Sequence, residues 1–464
     1  MSKRILIPII PAKQRFYSDG SDSGVDLKAV CIFVAAGFFL GEDTYFKNLK
    51  AMQPATEYEI NDNDEVTGSK VAWRWHYEPE EKTLEESTEE FTSLFETITR
   101  KLLGDKKIIL PLSGGLDSRS QAAALENGEN VHCYSYKFAD SFDETKYGRE
   151  IAKVKGFEFS EYIIPKGYLW NKLDEISEIN QCYADFTHPR QMAHIEEISK
   201  LGEIFYLGHW GDVLFDDMKV ENDLTFDEQL NSLEKKIVKR GGKELAESLW
   251  TAWGLEGKFS DYLRDRISEL LQEIRIENAN SRIRAFKSMY WAPRWTSANM
   301  STFSNFRPVA LPYYDDEMCK FICNVPEEHL AKRQIQINYI KNKSPELAAI
   351  PWQEYDPLNL YSYKNFESAS MIPLRAVRKG KRIINEKILG KRKVTRNWEL
   401  QFLGEDNERN LKGRLFDEKK FSEFLPQTVV KKYYDNFMQA DDVKYSHPVS
   451  MLLTLSQFCK MNLN

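Results

Sequence analysis

One short segment, Ser113-Gly-Gly-Leu-Asp-Ser118, carries the residue types that bind a phosphate group. The apolar run 108–112 before it is typical of a buried strand, and residues 119–125 after it are typical of a helix. The segment therefore lies between a strand end and a helix start, where backbone N–H groups lack intrahelical partners and the helix dipole favours an anion. Glycines let the backbone approach a phosphate, and the hydroxyls of Ser113 and Ser118 can donate hydrogen bonds.

Asp117 is unexpected in a phosphate loop, because its carboxylate would repel the ligand. Its presence is explained if a Mg²⁺ ion lies between the carboxylate and the phosphate. No G-x-x-x-x-G-K-[ST] motif occurs in the chain, so the loop is not of the Walker type.

Residues 113–118 resemble the pyrophosphate-binding loop (PP-loop, S-G-G-x-D-S) of ATP pyrophosphatases. Enzymes of that group cleave ATP to AMP and pyrophosphate and use the adenylate to activate a carbonyl or carboxyl oxygen. The resemblance implies ATP and Mg²⁺ as ligands, with nucleotide-binding roles for Pro111, Ser113, Gly114, Gly115, Leu116, Asp117 and Ser118.

A second segment, 208–215 (GHWGDVLF), resembles the S-G-x-G-x-D-E-L-F-G-G loop of asparagine synthetases. The match implies that Gly208 contacts the nucleotide and that Asp212 joins Asp117 as a magnesium ligand. His209 stands where those enzymes place a glutamate that is proposed as a base. A histidine can act as a base near neutral pH, but a lone histidine more often has a structural role.

Two further assignments follow from the same resemblance. Tyr136, near the end of a predicted strand, corresponds to the place where the adenine edge meets the backbone. Asparagine synthetases carry a lysine, at about Gln353 of this chain, that stabilises charge on the adenylated intermediate. That lysine is absent, and Lys364 is the nearest substitute.

The elements that must position these residues alternate along the chain. Strands are predicted at 107–112, 131–138, 157–164 and 204–208, with helices at 84–103, 143–154, 228–238 and 259–276. This order predicts an α/β fold: a doubly wound parallel sheet of the PP-loop (HUP) type with added helices. The first and fourth strands can lie side by side, which would bring Asp117 and Asp212 to one ion.

Residues 1–80 are predicted to form a small β-rich domain, in which 29–40 is a buried pair of strands. The order of its parts resembles the last third of the glutaminase domain of asparagine synthetases. Such a glutaminase uses an N-terminal cysteine, whereas this chain has Ser2, and the region is too short for the full domain. The resemblance therefore implies a structural remnant without glutaminase activity. Residues 81–370 would form the ATP-binding domain and 371–464 a basic and helical extension.

Composition limits the class of protein. Hydrophobic residues make up 42% of the 464 residues and charged residues 29%, as in a soluble globular protein. The net charge of −7 argues against a general nucleic-acid coat. The six cysteines include no C-x-x-C pair, which favours reduced thiols in the cytoplasm and no zinc site. The longest apolar run, 29–40, is too short to span a bilayer.

Residues 375–396 form one strongly basic run, with ten Lys or Arg against the single Glu386. It is either a solvated helix face or a docking strip for RNA, an acidic substrate or a membrane surface. No RNA-binding signature accompanies it, which favours the solvated face and makes a nucleic-acid partner unlikely.

These features predict an ATP-dependent, AMP-forming amide ligase or amidotransferase that adenylates a small-molecule carboxylate. Without a glutaminase, nitrogen would come from free ammonia, a partner protein or the amine of a second substrate. One alternative is a non-catalytic relative that binds a nucleotide or a partner. The other is a different PP-loop chemistry such as tRNA thiolation, which the absence of paired cysteines disfavours.

Overall fold

The computed structural model describes residues 3–20, 22–62, 65–126, 128, 130–141, 143–368, 371 and 394–463. Its N-terminal part contains β1 (Lys3–Leu6), β2 (Phe16–Ser18), α1 (Leu27–Ala36), β3 (Leu49–Ala51), β4 (Thr56–Ile60) and β5 (Val66–Val71). Strands β1, β4 and β5 form one antiparallel sheet with β4 in the middle, and β2 pairs with β3 in another. The predicted β-rich region near the N-terminus is therefore confirmed, and its strands are antiparallel.

Helix α1 corrects the prediction of a strand pair at 29–40. The side chain of Asp26 accepts a hydrogen bond from the N–H of Ala29, and the helix ends at Gly37 in the left-handed conformation, with φ 84°. Every residue from Ala29 to Ala36 is buried. A fully buried helix shows no alternation of apolar and polar residues, so its sequence cannot be told from that of buried strands by periodicity.

The central sheet has five parallel strands in the part of the chain that the structure describes. Helix α2 (Leu84–Leu103) precedes β6 (Ile108–Pro111), and the following elements are α3 (Leu116–Ala124), β7 (Val131–Phe138), α4 (Thr145–Lys155), β8 (Glu158–Ile164), α5 (Tyr168–Asn180), α6 (Ile195–Ile198), β9 (Ile204–Tyr206) and, later, β10 (Val309–Ala310). The spatial order is β10-β9-β6-β7-β8. The predicted parallel, doubly wound sheet is confirmed, and β6 pairs with β9 as expected.

The strand order reverses at β6. From β6 the chain moves to β7 and β8 on one side, then returns to β9 and β10 on the other. In open parallel sheets, ligands bind outside the carboxyl ends of the strands at such a switch point. Residues 112–115, which follow β6, lie at this position, so topology alone marks them as a ligand loop.

Helices account for most of the remaining described residues. A π-helix, Lys287–Thr296, lies between α11 and α12, and short 3₁₀ turns include Arg190–Ala193, Pro312–Tyr314, Ala331–Arg333, Gln353–Tyr355 and Tyr363–Glu367. The α-helices are α7 (Gly211–Leu214), α8 (Phe226–Ile237), α9 (Gly242–Ala252), α10 (Phe259–Gln272), α11 (Ala279–Phe286), α12 (Ser297–Ser304), α13 (Asp316–Cys323), α14 (Glu327–Leu330), α15 (Gln334–Lys343), α16 (Pro345–Ala349), α17 (Asn397–Phe402), α18 (Glu405–Phe416), α19 (Lys419–Phe424), α20 (Gln427–Gln439) and α21 (Asp442–Asn462).

The C-terminal helices pack into the rest of the protein. In α21, residues 448–459 are all buried, and the ring of Phe458 stacks on Tyr45 with centroids 3.9 Å apart. Apolar packing is thus continuous between the N-terminal and C-terminal parts, and the division at residues 80 and 370 stays a prediction. Most of the basic run 375–396 lies outside the described residues. No described helix combines the length and apolar character needed to cross a membrane.

Candidate active site

The loop after β6 is closed by its own serines. The backbone N–H of Ser113 donates to Oγ of Ser118 at 3.1 Å, and the two hydroxyl oxygens are also 3.1 Å apart. The N–H of Gly115 donates to Oγ of Ser113 at 3.2 Å. Helix α3 then begins at Leu116, which is buried beneath the loop. The hydroxyls and N–H groups that the sequence assigned to a phosphate therefore converge on one helix N-terminus.

Glycine is present at the two loop positions, Gly114 and Gly115, for different physical reasons. A Cβ on Gly114 would lie 2.5 Å from Cβ of Gln353 and 2.9 Å from Cγ of Tyr147, so close packing requires this glycine. A Cβ on Gly115 would meet only Oγ of Ser113, at 3.3 Å. Open space around Gly115 is what the approach of a phosphate needs, whereas Gly114 is explained by packing alone.

Arg119 joins this loop to the segment after α16. Its guanidinium is fully buried and donates to the carbonyl oxygens of Leu347 at 3.2 Å, Ile350 at 2.9 Å and Pro351 at 2.9 Å. Burial lowers the pKa of Arg119 to about 10, which still leaves it charged at neutral pH. Arg119 therefore fixes one side of the loop.

The second predicted loop packs directly on Asp117. A Cβ on Gly208 would lie 3.0 Å from Cβ of Asp117, and a Cβ on Gly211 would lie 2.8 Å from its Cγ. Both glycines thus permit close approach, and α7 begins at Gly211 with Asp212 in its first turn. Burial raises the pKa of Asp117, the positive charge of Arg333 lowers it, and the nearby negative charge of Asp212 raises it again, with a net increase.

A cleft of about 460 Å³ opens at this point between β6, β9 and the π-helix. It brings together seven of the residues that the sequence assigned to the site, and adds a wall of aromatic and polar side chains. The predicted residues are Pro111, Ser113, Asp117, Ser118, Gly208, His209 and Asp212, and the added ones include Gln121, Trp210, Lys287, Trp291, Trp295 and Thr296.

Arg333 contacts the carboxylate of Asp117 from the side of α15. The guanidinium donates to Oδ1 of Asp117, and Nε2 of Gln336 donates to the same oxygen at 3.0 Å. Gln336 also donates to the hydroxyl of Tyr313 at 2.8 Å and accepts from Nε of Arg333 at 2.8 Å. Sequence reasoning missed this network, because 216 residues separate Arg333 from Asp117.

The residues present fit a magnesium ion. Among the described residues, no group of three or more His, Cys, Asp and Glu side chains is arranged to hold a metal. Asp117 and Asp212 nevertheless lie close enough that the charge of one raises the pKa of the other. Mg²⁺ usually takes one or two protein carboxylates and completes its shell with phosphate oxygens and water, which this pair allows.

His209 lines the cleft but is a weak base. Burial lowers its pKa to about 4, against the opposing effect of Asp212. Its Nδ1 atom is buried and has no hydrogen-bond partner among the described residues. The ring is therefore neutral at physiological pH, which disfavours the prediction that His209 acts as a base near neutrality.

Lys287 was not found by sequence reasoning. Its Nζ lies 5.8 Å from the ring centroid of Trp210 and 5.1 Å from that of Trp291. Burial lowers the pKa of Lys287 to about 8, although Asp212 opposes the shift. The spacing of Lys287, Trp291 and Trp295, four residues apart, was a usable signal, because such residues share one helix face.

No curated protein matches the sequence. The family model described as asparagine synthase matches residues 91–336, slightly more than half of the chain. The chain belongs to the asparagine synthase family. The match includes both loops of the cleft, Asp117, Asp212, Lys287 and Arg333, and it ends at Gln336.

Two solved structures have a limited similarity to this asparagine synthase family member. A glutamine-dependent NAD⁺ synthetase from Acinetobacter baumannii, in complex with adenosine diphosphate, is 16% identical and covers 42% of this chain, with a TM-score of 0.21. The chain spans only 37% of the length of that enzyme. An NMN synthetase from Francisella tularensis is 12% identical over 44% of this chain and 93% of its own, with a TM-score of 0.22.

Two predicted residues lie away from the cleft of this asparagine synthase family member. Lys364 lines a separate cavity with Lys332, Trp352 and Tyr363, and it falls outside the family match. Tyr136 does not line the cleft; its hydroxyl accepts a hydrogen bond from Arg190 at 3.5 Å. The assignment of Lys364 as the intermediate-stabilising lysine is therefore not supported by its position, whereas Lys287 is in the cleft.

Proposed function

We propose that this protein is an ATP-dependent ligase that forms AMP and pyrophosphate, adenylates a carboxylate and transfers the acyl group to ammonia or an amine. One observation carries the proposal. Asp117 and Asp212 follow the carboxyl ends of the paired strands β6 and β9 and lie in one cleft with the serines of the PP-loop. That arrangement suits a magnesium–triphosphate group bound at the switch point of the sheet.

The side chains of the cleft would bind different parts of the magnesium–ATP complex. Ser113, Ser118 and the N–H groups at the start of α3 would bind the pyrophosphate part of ATP, and Asp117 with Asp212 would hold Mg²⁺. The ion would neutralise charge on the phosphates. An oxygen of the substrate carboxylate would then attack the α-phosphorus and release pyrophosphate, and the amine would attack the acyl carbon and release AMP.

Lys287 is the cation best placed to stabilise the adenylated intermediate. It lines the same cleft as the PP-loop serines, and the charge of Asp212 acts on it. A lysine with a pKa of about 8 is mostly charged at neutral pH but poorly hydrated, so its interaction with a developing negative charge is strong. Lys287 would thus replace the family lysine that is absent near Gln353.

The nitrogen donor follows from the N-terminal region. Ser2 lies outside the described residues, and the run 29–40 is a buried helix followed by a turn rather than a strand pair. We therefore propose that residues 1–80 have no glutaminase activity and that the nitrogen comes from free ammonia, from the amine of a second substrate, or from ammonia that a partner protein supplies. A cytoplasmic location remains a prediction.

A non-catalytic relative that only binds nucleotide is the second candidate. The observation that favours it is the ion pair between Arg333 and Asp117, which already neutralises one of the two magnesium ligands. Thiolation chemistry has less support, because all six cysteines are buried and burial raises the pKa of each of them. Buried protonated thiols are poor nucleophiles.

Exchange of labelled pyrophosphate into ATP tests the proposal. We expect exchange that requires Mg²⁺ and one acid from a panel of carboxylic acids, because adenylation is reversible. Asp117→Asn, in which one magnesium ligand is lost, should abolish it. Tight binding of Mg·ATP with no exchange for any acid, alone or with an amine, would support the non-catalytic relative. Cleavage of ATP to ADP and phosphate would contradict both candidates.

A further inference from the structure

Arg333 does more than tie α15 to the PP-loop. Its guanidinium contacts Oδ1 of Asp117, which also accepts a hydrogen bond from Gln336, while no described residue donates to Oδ2. The Arg333 side chain is only 14% exposed and that of Asp117 is 24% exposed. Among the described residues, Arg333 is therefore the cation that directly contacts the carboxylate of Asp117.

The backbone that presents Arg333 has an unusual conformation. Lys332 and Arg333 have φ values of 57° and 61°, the left-handed region that residues with a side chain rarely adopt. The N–H of Lys332 donates to Oδ1 of Asp216 at 2.9 Å. This hydrogen bond anchors the turn to the residue that follows the loop 208–215. Residues held in this way cluster at ligand clamps and switch regions, where the surrounding structure maintains them.

Arg333 also lies between two clefts. It lines the cavity that holds Lys364, and through Asp117 it meets the cleft of the PP-loop. Its guanidinium is thus in direct contact with a side chain that lines the cleft of the PP-loop. A guanidinium binds carboxylate and phosphate with the same planar geometry, so both are suitable partners.

We propose that Arg333 takes the place of the metal at Asp117 while no nucleotide is bound, and transfers to the triphosphate of ATP when Mg²⁺ enters. Arg333 would then be a phosphate-binding residue that competes with the metal for Asp117. Only the second part of this inference, the transfer of Arg333 to the triphosphate, rests on the proposed function. The competition between Arg333 and the metal can be measured without a nucleotide.

The balance of charges in the cleft supports the transfer of Arg333 from Asp117 to the triphosphate. With Arg333 on Asp117, the charges of the two carboxylates are close to balanced by the bonded guanidinium and by the nearby Lys287. Entry of a divalent cation at Asp117 and Asp212 would leave the mostly buried guanidinium of Arg333 without its partner. An unpaired buried cation is costly, and the incoming triphosphate supplies the compensating negative charge.

The competition between Arg333 and the metal is tested by measuring the binding of Mn²⁺. The measurement is the decrease of the electron paramagnetic resonance signal of the free ion. We expect nucleotide-free Arg333→Gln to bind Mn²⁺ at least tenfold more tightly than the wild-type protein, and the gain to disappear in Arg333→Gln/Asp117→Asn. Arg264→Gln is the matched control, since it removes a guanidinium that pairs with Asp227 at 3.0 Å elsewhere on the surface. Equal Mn²⁺ affinity in Arg333→Gln and wild type would overturn the competition.

Calorimetry with nucleotides tests the second half. Arg333→Gln should bind Mg·ATP about tenfold more weakly than wild type, with AMP binding unchanged, because only ATP carries the phosphates that Arg333 would contact. Equal losses for ATP and AMP would overturn the phosphate role. If wild type binds no Mg·ATP, the proposed function fails, while the Mn²⁺ result still decides the competition. Should Arg333→Gln not fold, Arg333→Lys replaces it, with gains and losses in the same direction, because a lysine cannot make the planar fork.

Discussion

Gly211 packs on Asp117 so closely that a Cβ at residue 211 would lie 2.8 Å from Cγ of Asp117. Gly211→Ala should therefore push the carboxylate away from Asp212 and weaken the binding of Mg·ATP by at least tenfold. Isothermal calorimetry measures the change. Retention of wild-type affinity would mean that the position of Asp117 does not matter for the ligand.

The control for this substitution is Gly413→Ala in α18. A Cβ there would meet only Oδ2 of Asp417, at 3.6 Å, which is ordinary contact. Alanine is favoured over glycine inside a helix, so the variant should be more stable by about 0.5–1 kcal/mol. Its affinity for Mg·ATP should equal that of the wild-type protein.

Lys287 should make kcat depend on pH, with a descending limb of the pH–rate profile at high pH. Its pKa of about 8 is set by burial, by Asp212 and by Lys236, Arg284 and Lys239. If the protonated form stabilises the intermediate, kcat falls as the pH rises through about 8. Lys287→Met should lower turnover by about 10²–10³, as for the loss of one preorganised electrostatic contact. In Lys287→Arg the limb should vanish, because arginine stays charged. A limb unchanged in both variants would exclude Lys287 as its source.

Much of the fold could be predicted from local patterns. Strand β7 and helix α2 have the predicted bounds, because β-branched and aromatic residues mark the former and a capping box of Thr83 and Glu86 begins the latter. The PP-loop was found because its chemistry is contained in six consecutive residues. Helix α1 was missed because burial on all sides removes the periodicity that distinguishes a helix from a strand.

The rest of the site depends on contacts between distant parts of the chain. Arg333 reaches Asp117 across 216 positions, and the lysine that lines the cleft is Lys287, at the start of a π-helix, rather than one near Gln353. Lys364 was chosen for its position in the sequence, and the structure places it in another cavity. Proximity in the chain is therefore a poor guide to which lysine lines the cleft.

His209 should contribute little as a base. With a pKa of about 4 the ring is neutral from pH 6 to 9, and it has little tendency to take a proton from an ammonium group. His209→Gln is expected to lower kcat by less than about tenfold and to leave the pH profile between 5.5 and 7.5 unchanged. A rate that depends on a group of pKa near 6.5 and loses that dependence in His209→Gln would restore the role of a base.

Glutaminase activity should be absent. Ser2 stands where the resemblance places the nucleophilic cysteine of a glutaminase, and Ser2→Cys should remain inactive because helix α1 occupies the run in which the resemblance predicted paired strands. Release of glutamate from glutamine is the measurement, with ammonia supporting the ligase reaction in parallel. Steady glutamate release by either form would contradict the prediction.

The central claim is that Asp117 and Asp212 act together as the ligands of one magnesium ion on ATP. The most direct measurement is calorimetry of Asp117→Asn and Asp212→Asn with ATP, in the presence of Mg²⁺ and in its absence. Each variant should lose affinity for Mg·ATP much more than for metal-free ATP, and the double variant should be little worse than either single one, because the two carboxylates hold one ion. Unchanged binding of Mg·ATP in both single variants would show that these aspartates are not the metal site.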